Sequence, residues 1–126
     1  MMTENISVVV LNSNFHTNDN YWLKLDDGDI AGMIAWFESE LASLRAAGKR
    51  AYVLQHHPPL STFQNYSDFF AATVSEYDDV VIAAFFGHSH DDEYFVFSSG
   101  PLDQPQPSIA GYIPGAGAFS CVCFAI

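Results

Sequence analysis

A chain of 126 residues that is 49% hydrophobic and 15% aromatic suits one domain with a real core, which excludes a disordered segment. Four basic residues against fifteen acidic ones give a formal charge of −11. That excludes nucleic acid and an anionic membrane surface as partners, since both need a basic patch, and it suits metal cations. The two cysteines, Cys121 and Cys123, stand too close to pair with each other, so they define neither a disulfide framework nor a compartment.

Residues 1–7 lack the basic stretch of a signal peptide, residues 7–11 are too short for its apolar part, and no apolar run reaches the length of a membrane span. Residues 7–11 (SVVVL) predict a short buried strand. The asparagine-rich residues 12–20 predict a loop, with His16 exposed on it. Asp26-Asp27-Gly28-Asp29 reads as a turn into a helix over residues 30–47, with Asp29 or a neighbour capping its first amides. Ile30, Met33, Ile34, Phe37, Leu41 and Leu44 recur at helical spacing and give that helix one buried stripe, and Gly48 stops it.

The next strand is expected over residues 51–55 (AYVLQ) and must end at His56-His57-Pro58-Pro59, because proline cannot continue the ladder. Residues 60–66 read as loop and residues 67–77 as a second helix capped by Ser67. Residues 80–86 (VVIAAFF) form an unbroken apolar run of the kind a strand buried on both faces shows. Gly87 ends it with room for a sharp turn, and His88 and His90 follow. Residues 94–97 and 108–113 read as further strands, residues 98–107 as the loop between them, and residues 114–117 as a turn. Residues 119–126 are apolar to the last one.

Two buried strands thus end in histidines. Open α/β sheets place their sites at the carboxyl edge of the strands, so His56 or His57 is expected to share a site with His88 and His90. Residues i and i+2 of an extended segment point the same way, which would aim His88 and His90 at one small volume. Imidazoles in that arrangement suit zinc, iron or manganese. Asp91, Asp92 and Glu93 read as a solvated acidic loop or as partners that orient the imidazoles.

These residues resemble a family. Gly87-His88-Ser89-His90 after a buried strand resembles the last metal motif of the calcineurin-like metallophosphoesterases, and His56 with Pro58-Pro59 resembles the motif before it. The likeness sharpens to the acid sphingomyelinase-like branch over residues 85–93 (FFGHSHDDE) and Phe95-Val96-Phe97. It extends to Leu11-Asn12-Ser13-Asn14-Phe15, to Asn20-Tyr21-Trp22, to the helix with Trp36 and to residues 107–118, and so covers nearly the whole chain.

The resemblance implies an α/β fold: part of a two-sheet β-sandwich flanked by helices (αββα), with residues 1–126 as the carboxyl-terminal portion of the catalytic domain and the amino-terminal half missing. It implies hydrolysis of a phosphodiester, as by sphingomyelin phosphodiesterase. Two divalent metal ions, zinc in this branch, would activate a bridging hydroxide that attacks phosphorus and would neutralise the phosphate oxygens. By motif, His56 and His88 would bind one metal and His90 the other, while His57 falls where the family has no ligand. The substrate would be a phosphodiester such as a sphingolipid or a nucleotide. Relatives are secreted or lysosomal.

The chain also departs from the family. The Asp-x-His, Gly-Asp and Gly-Asn-His motifs, which carry the bridging aspartate, an asparagine ligand and the proton-donating histidine, do not occur, so no catalytic residue is assigned. A fragment inactive on its own is therefore expected. An exposed sheet edge and apolar face should also drive self-association. The alternative is a non-catalytic metal-binding or interaction fragment whose sheet a partner completes. The run from His88 to Glu93 also nearly spells the His-x-His-x-Asp-His of metallo-β-lactamase-like hydrolases, with Glu93 where the last histidine belongs.

Overall fold

The computed structural model describes residues 5–26, 28–99 and 106–113. Strands β1 (Ile6–Val10), β2 (Arg50–Leu54), β3 (Val81–Phe85), β4 (Glu93–Ser99) and β5 (Gln106–Ile113) form one sheet in the order β1-β2-β3-β5-β4. The pairs β1–β2, β2–β3 and β3–β5 are parallel, and β4 runs antiparallel to β5. Helix α1 (Met33–Ala46) links β1 to β2, and α2 (Gln64–Glu76) links β2 to β3. Two successive right-handed crossovers that step the same way across a sheet leave both helices on one face.

Between that face and the helices lies a single core. Phe37 and Leu41 of α1, Phe70 and Val74 of α2, Val9, Val53, Ala84 and Phe86 of the sheet strands and their ends are all buried in it. Phe70 joins the layers: its ring stacks on Phe37 at 5.9 Å and meets Phe86 and Phe97 edge-on at 5.8 and 5.6 Å. Gly111 is required where it stands, because a Cβ there would sit 2.8 Å from the Phe86 ring and 3.0 Å from the Phe97 ring.

The other face of the sheet has no helix over it among the described residues. The register sets Val10, Leu54, Phe85, Tyr112 and Tyr94 in one row across all five strands on that face. Its ends are open to solvent: Val10 is 66% exposed and Tyr94 75%, with Val96 beside it at 68%. The expectation of a buried strand over residues 7–11, and of one buried on both faces over residues 80–86, is therefore corrected. β1 is an edge strand that buries Val9 and exposes Val8 and Val10, and Phe85 of β3 is only half-buried. An apolar run does not distinguish a strand covered on both faces from one covered on a single face.

The helix boundaries shift for local reasons. The first helix opens with a separate 3₁₀ turn, Ile30–Gly32, because Ala31 and Gly32 take φ of 59° and 67° and break the α-helical path. Asp29 still caps it, since its carboxylate accepts from the amides of Ile34 at 2.7 Å and Ala35 at 3.0 Å. The second helix begins three residues before Ser67, at Gln64. Ser67 does not cap it but donates its hydroxyl to the Pro59 carbonyl.

Both β4 and β5 reach further into the expected loop than the sequence suggests, with Ser98 opposite Pro107 and Ser99 opposite Gln106. The expected loop at residues 100–105, the turn at 114–117 and the apolar stretch at 119–126 lie outside the described residues.

Candidate metal centre

Because β2 and β3 are parallel neighbours, their carboxyl ends open onto one edge of the sheet. Pairing continues past both strands: Gln55 N donates to Phe85 O at 3.1 Å, and Gly87 N donates to His56 O at 2.8 Å. This second bond draws the loop after β3 against the loop after β2. The role of Gly87 is close approach: a Cβ on it would stand 3.3 Å from His56 Nδ1. The sharp turn comes one residue later, where His88 takes φ 80°, and recurs at His90 with φ 64°. Non-glycine residues in the left-handed region are uncommon and gather at functional loops.

These turns decide which histidines meet. His88 and His90 are not in an extended segment, so the i, i+2 expectation that their rings share one direction is corrected. Among the described residues, the side chains whose ligand atoms all lie within 4.8 Å of one another are those of His56, His57 and His88. Their ring centroids are 4.5 Å (His57–His88), 4.8 Å (His56–His57) and 5.5 Å (His56–His88) apart. His90 lies outside this group, near enough for its charge to depress the pKa of His56. Burial is the main cause that lowers His56, and burial also pushes His57 down to about 4, with His88 and His56 adding to it and Asp19 opposing. Both imidazoles are thus neutral at pH 7, the form that binds metal.

His57 is the residue that sequence reasoning set aside. It is 7% exposed, and a polar frame holds it. Ser13 Oγ accepts the His57 backbone amide at 2.9 Å and lies 3.0 Å from its Nδ1. Gln55 Nε2 donates to the His57 carbonyl at 2.9 Å, and Tyr66 donates its hydroxyl to Gln55 Oε1 at 2.8 Å. Ser13 reaches His57 because the β1–β2 register, which pairs Val10 with Leu54, continues past the strand ends.

His16 is likewise buried, against the expectation of an exposed loop histidine. The loop winds back onto α2 through a 3₁₀ turn, Ser13–Phe15, and the bridge between Thr17 and Thr62. The His16 ring stacks on Tyr66 at 4.3 Å, and its Nε2 meets no hydrogen-bond partner among the described residues.

The acidic residues that follow His90 do not join the cluster. Asp91 and Asp92 are exposed, and Asp92 accepts the Tyr112 hydroxyl, which raises the Tyr112 pKa. The donor set fits a metal ion. Tetrahedral zinc with bonds of about 2.1 Å would set its nitrogens about 3.4 Å apart, so ligand atoms now within 4.8 Å of one another would need to close by no more than about 1.4 Å, and three imidazoles would leave a coordination position open.

No family model matches the chain. Sphingomyelin phosphodiesterase of Homo sapiens is 33% identical over 92 residues, 73% of this chain and 15% of that protein. Sphingomyelin phosphodiesterase of Bos taurus is 29% identical over 114 residues, 90% of this chain and 18% of that protein. Cyclic GMP-AMP phosphodiesterase SMPDL3A of Homo sapiens is 28% identical over 103 residues, 75% of this chain and 22% of that protein. The chain therefore spans less than a quarter of the length of each of these three relatives, at 15%, 18% and 22%. Homology to these phosphodiesterases runs across most of its residues, and the chain belongs with the acid sphingomyelinase-like metallophosphoesterases.

Proposed function

We propose that residues 1–126 are the carboxyl-terminal portion of a calcineurin-like phosphoesterase domain that hydrolyses a phosphodiester, with His56, His88 and His90 as its share of the metal ligands. The observation that carries this reading is the meeting of His56 and His88 at the adjoining carboxyl ends of two parallel strands. His56 and His88 would hold one divalent ion and His90 a second, with zinc as the metal that imidazole donors suit. Ions held there supply Lewis-acid polarisation of the phosphate oxygens and a nucleophile at neutral pH. The chain's own part is to fix the imidazoles: β2 and β3 set their separation, and the Gly87–His56 bond sets the loop against its neighbour. A sphingolipid or a nucleotide diester is the substrate class, by likeness to relatives named for sphingomyelin and cyclic GMP-AMP.

The test is reconstitution. A polypeptide with the amino-terminal half of the human relative's catalytic domain is mixed with this chain and zinc, and hydrolysis of sphingomyelin and of a cyclic dinucleotide is followed. Turnover by the chain alone is expected at least ~10²–10⁴-fold below that of the mixture, the share a missing proton donor removes. A stoichiometric, zinc-loaded complex without turnover would sink the enzymatic reading. It would leave the second one, an interaction module whose sheet a partner completes, which the uncovered row from Val10 to Tyr94 favours.

The same face should make the isolated chain self-associate, because apolar patches of that extent seldom stay open to water. Light scattering behind size-exclusion chromatography is expected to give a dimer or larger. A monodisperse monomer excludes it.

A further inference from the structure

We propose that His57 is a third ligand of the His56–His88 metal, held for that task by Ser13, so that this chain alone holds one divalent transition-metal ion on three imidazoles. The proposal rests on the reading that His56 and His88 share a metal, and it adds a residue to which neither the motifs nor the relatives' names give a role. Two observations carry it. Three ligand atoms from His56, His57 and His88 lie within 4.8 Å of one another. The His57 ring is also nearer to His88, at 4.5 Å, than the His56 ring is, at 5.5 Å. A buried histidine kept only for packing would not need two neighbouring imidazoles beside it.

Ser13 gives the arrangement its chemistry. One hydroxyl oxygen takes the His57 backbone amide at 2.9 Å and lies 3.0 Å from Nδ1, so it anchors both the backbone and the ring. When Ser13 Oγ accepts the Nδ1 proton, the lone pair resides on Nε2, the nitrogen left for a metal. Ser13 would thus serve as the outer acceptor that fixes a metal-binding histidine's tautomer and ring orientation together, a place more often filled by a carboxylate, a carbonyl or water. His57 is accordingly a ligand and Ser13 a positioning residue. Three imidazoles at one ion leave an open position, as in catalytic zinc sites, and suit zinc or cobalt.

Cobalt(II) titration of the whole chain, read by visible absorption, tests this. One equivalent should bind with the intense bands of a tetrahedral site. His57→Phe, which keeps an aromatic ring without a ligand nitrogen, should weaken binding at least about tenfold, and Ser13→Ala by roughly 10–100-fold. If His57→Phe and Ser13→Ala bind as the parent does while His88→Ala does not, the His57 role is overturned and the shared His56–His88 metal stands. If His88→Ala also binds as the parent does, both fall. A parent chain that binds no cobalt overturns the three-imidazole site and leaves the reconstituted domain to be judged on its own assay. Nitrogen-15 spectra of the parent's imidazoles decide the matter even if the variants misfold. Zinc should move His57 Nε2 together with one nitrogen each of His56 and His88, and an unmoved His57 signal overturns the proposal.

Discussion

Replacing His88 with alanine is expected to remove zinc binding by this chain, with affinity falling by at least about 100-fold as a three-ligand zinc site is reduced to two. His88 is the one member of the cluster supplied by the loop after β3; the other two, His56 and His57, are consecutive residues after β2. Two neighbours on one short loop cannot enclose an ion alone, so losing the ring from the facing loop opens the site. The backbone sharpens the test. His88 is held at φ 80°, where an L-residue carries strain and glycine carries little. His88→Gly should therefore unfold at an equal or higher temperature than the parent and still fail to bind zinc. Calorimetric titration beside thermal unfolding reads both. A glycine variant that keeps zinc affinity would show that the site lies elsewhere. One that loses zinc and stability together would show that the ring supports the fold rather than a metal.

Replacing Phe70 with alanine is expected to cost about 3–5 kcal/mol of unfolding free energy, the range for a large aromatic side chain removed from a core. Phe70 is fully buried and is the ring shared by α1, α2 and the sheet, through Phe37, Phe86 and Phe97. The space it would leave is walled by other rigid rings, so the core collapses poorly around it. The effect should reach the metal loop as well, because Phe86 directly precedes Gly87 and His88. Urea unfolding would give the cost, and Phe70→Leu should recover much of it. A loss of under about 1 kcal/mol would mean that the core has slack at its centre, against close packing of this kind.

The histidine-bearing strand ends were legible because their signals are local. An apolar run, a glycine and a proline pair each act on the chain within a few residues, and they marked where β2 and β3 stop and where imidazoles follow. The capping of α1 by Asp29 was legible for the same reason, although Ala31 and Gly32 displaced the helix start. Ser67 shows the limit of such signals. It has the chemistry of a cap, yet the Pro59 carbonyl is close enough to take its hydroxyl once the intervening turn is folded. His16 shows it again: nothing local separates an exposed loop histidine from one stacked on Tyr66, since α2 supplies the partner.

Residue types and their order supply the parts: α/β alternation, acidic character, histidines at the carboxyl ends of two strands, and a resemblance to the acid sphingomyelinase-like family that homology to its members bears out. Which of those parts meet depends on the packing of the folded chain. The parallel register of β1 on β2, which sets Val10 beside Leu54, carries Ser13 to His57 across two segments far apart in the chain. The left-handed turns at His88 and His90 place the first in the cluster and the second outside it. Register and turn handedness are settled by the packing of whole strands and by hydrogen bonds between loops, which residue types along one segment do not contain.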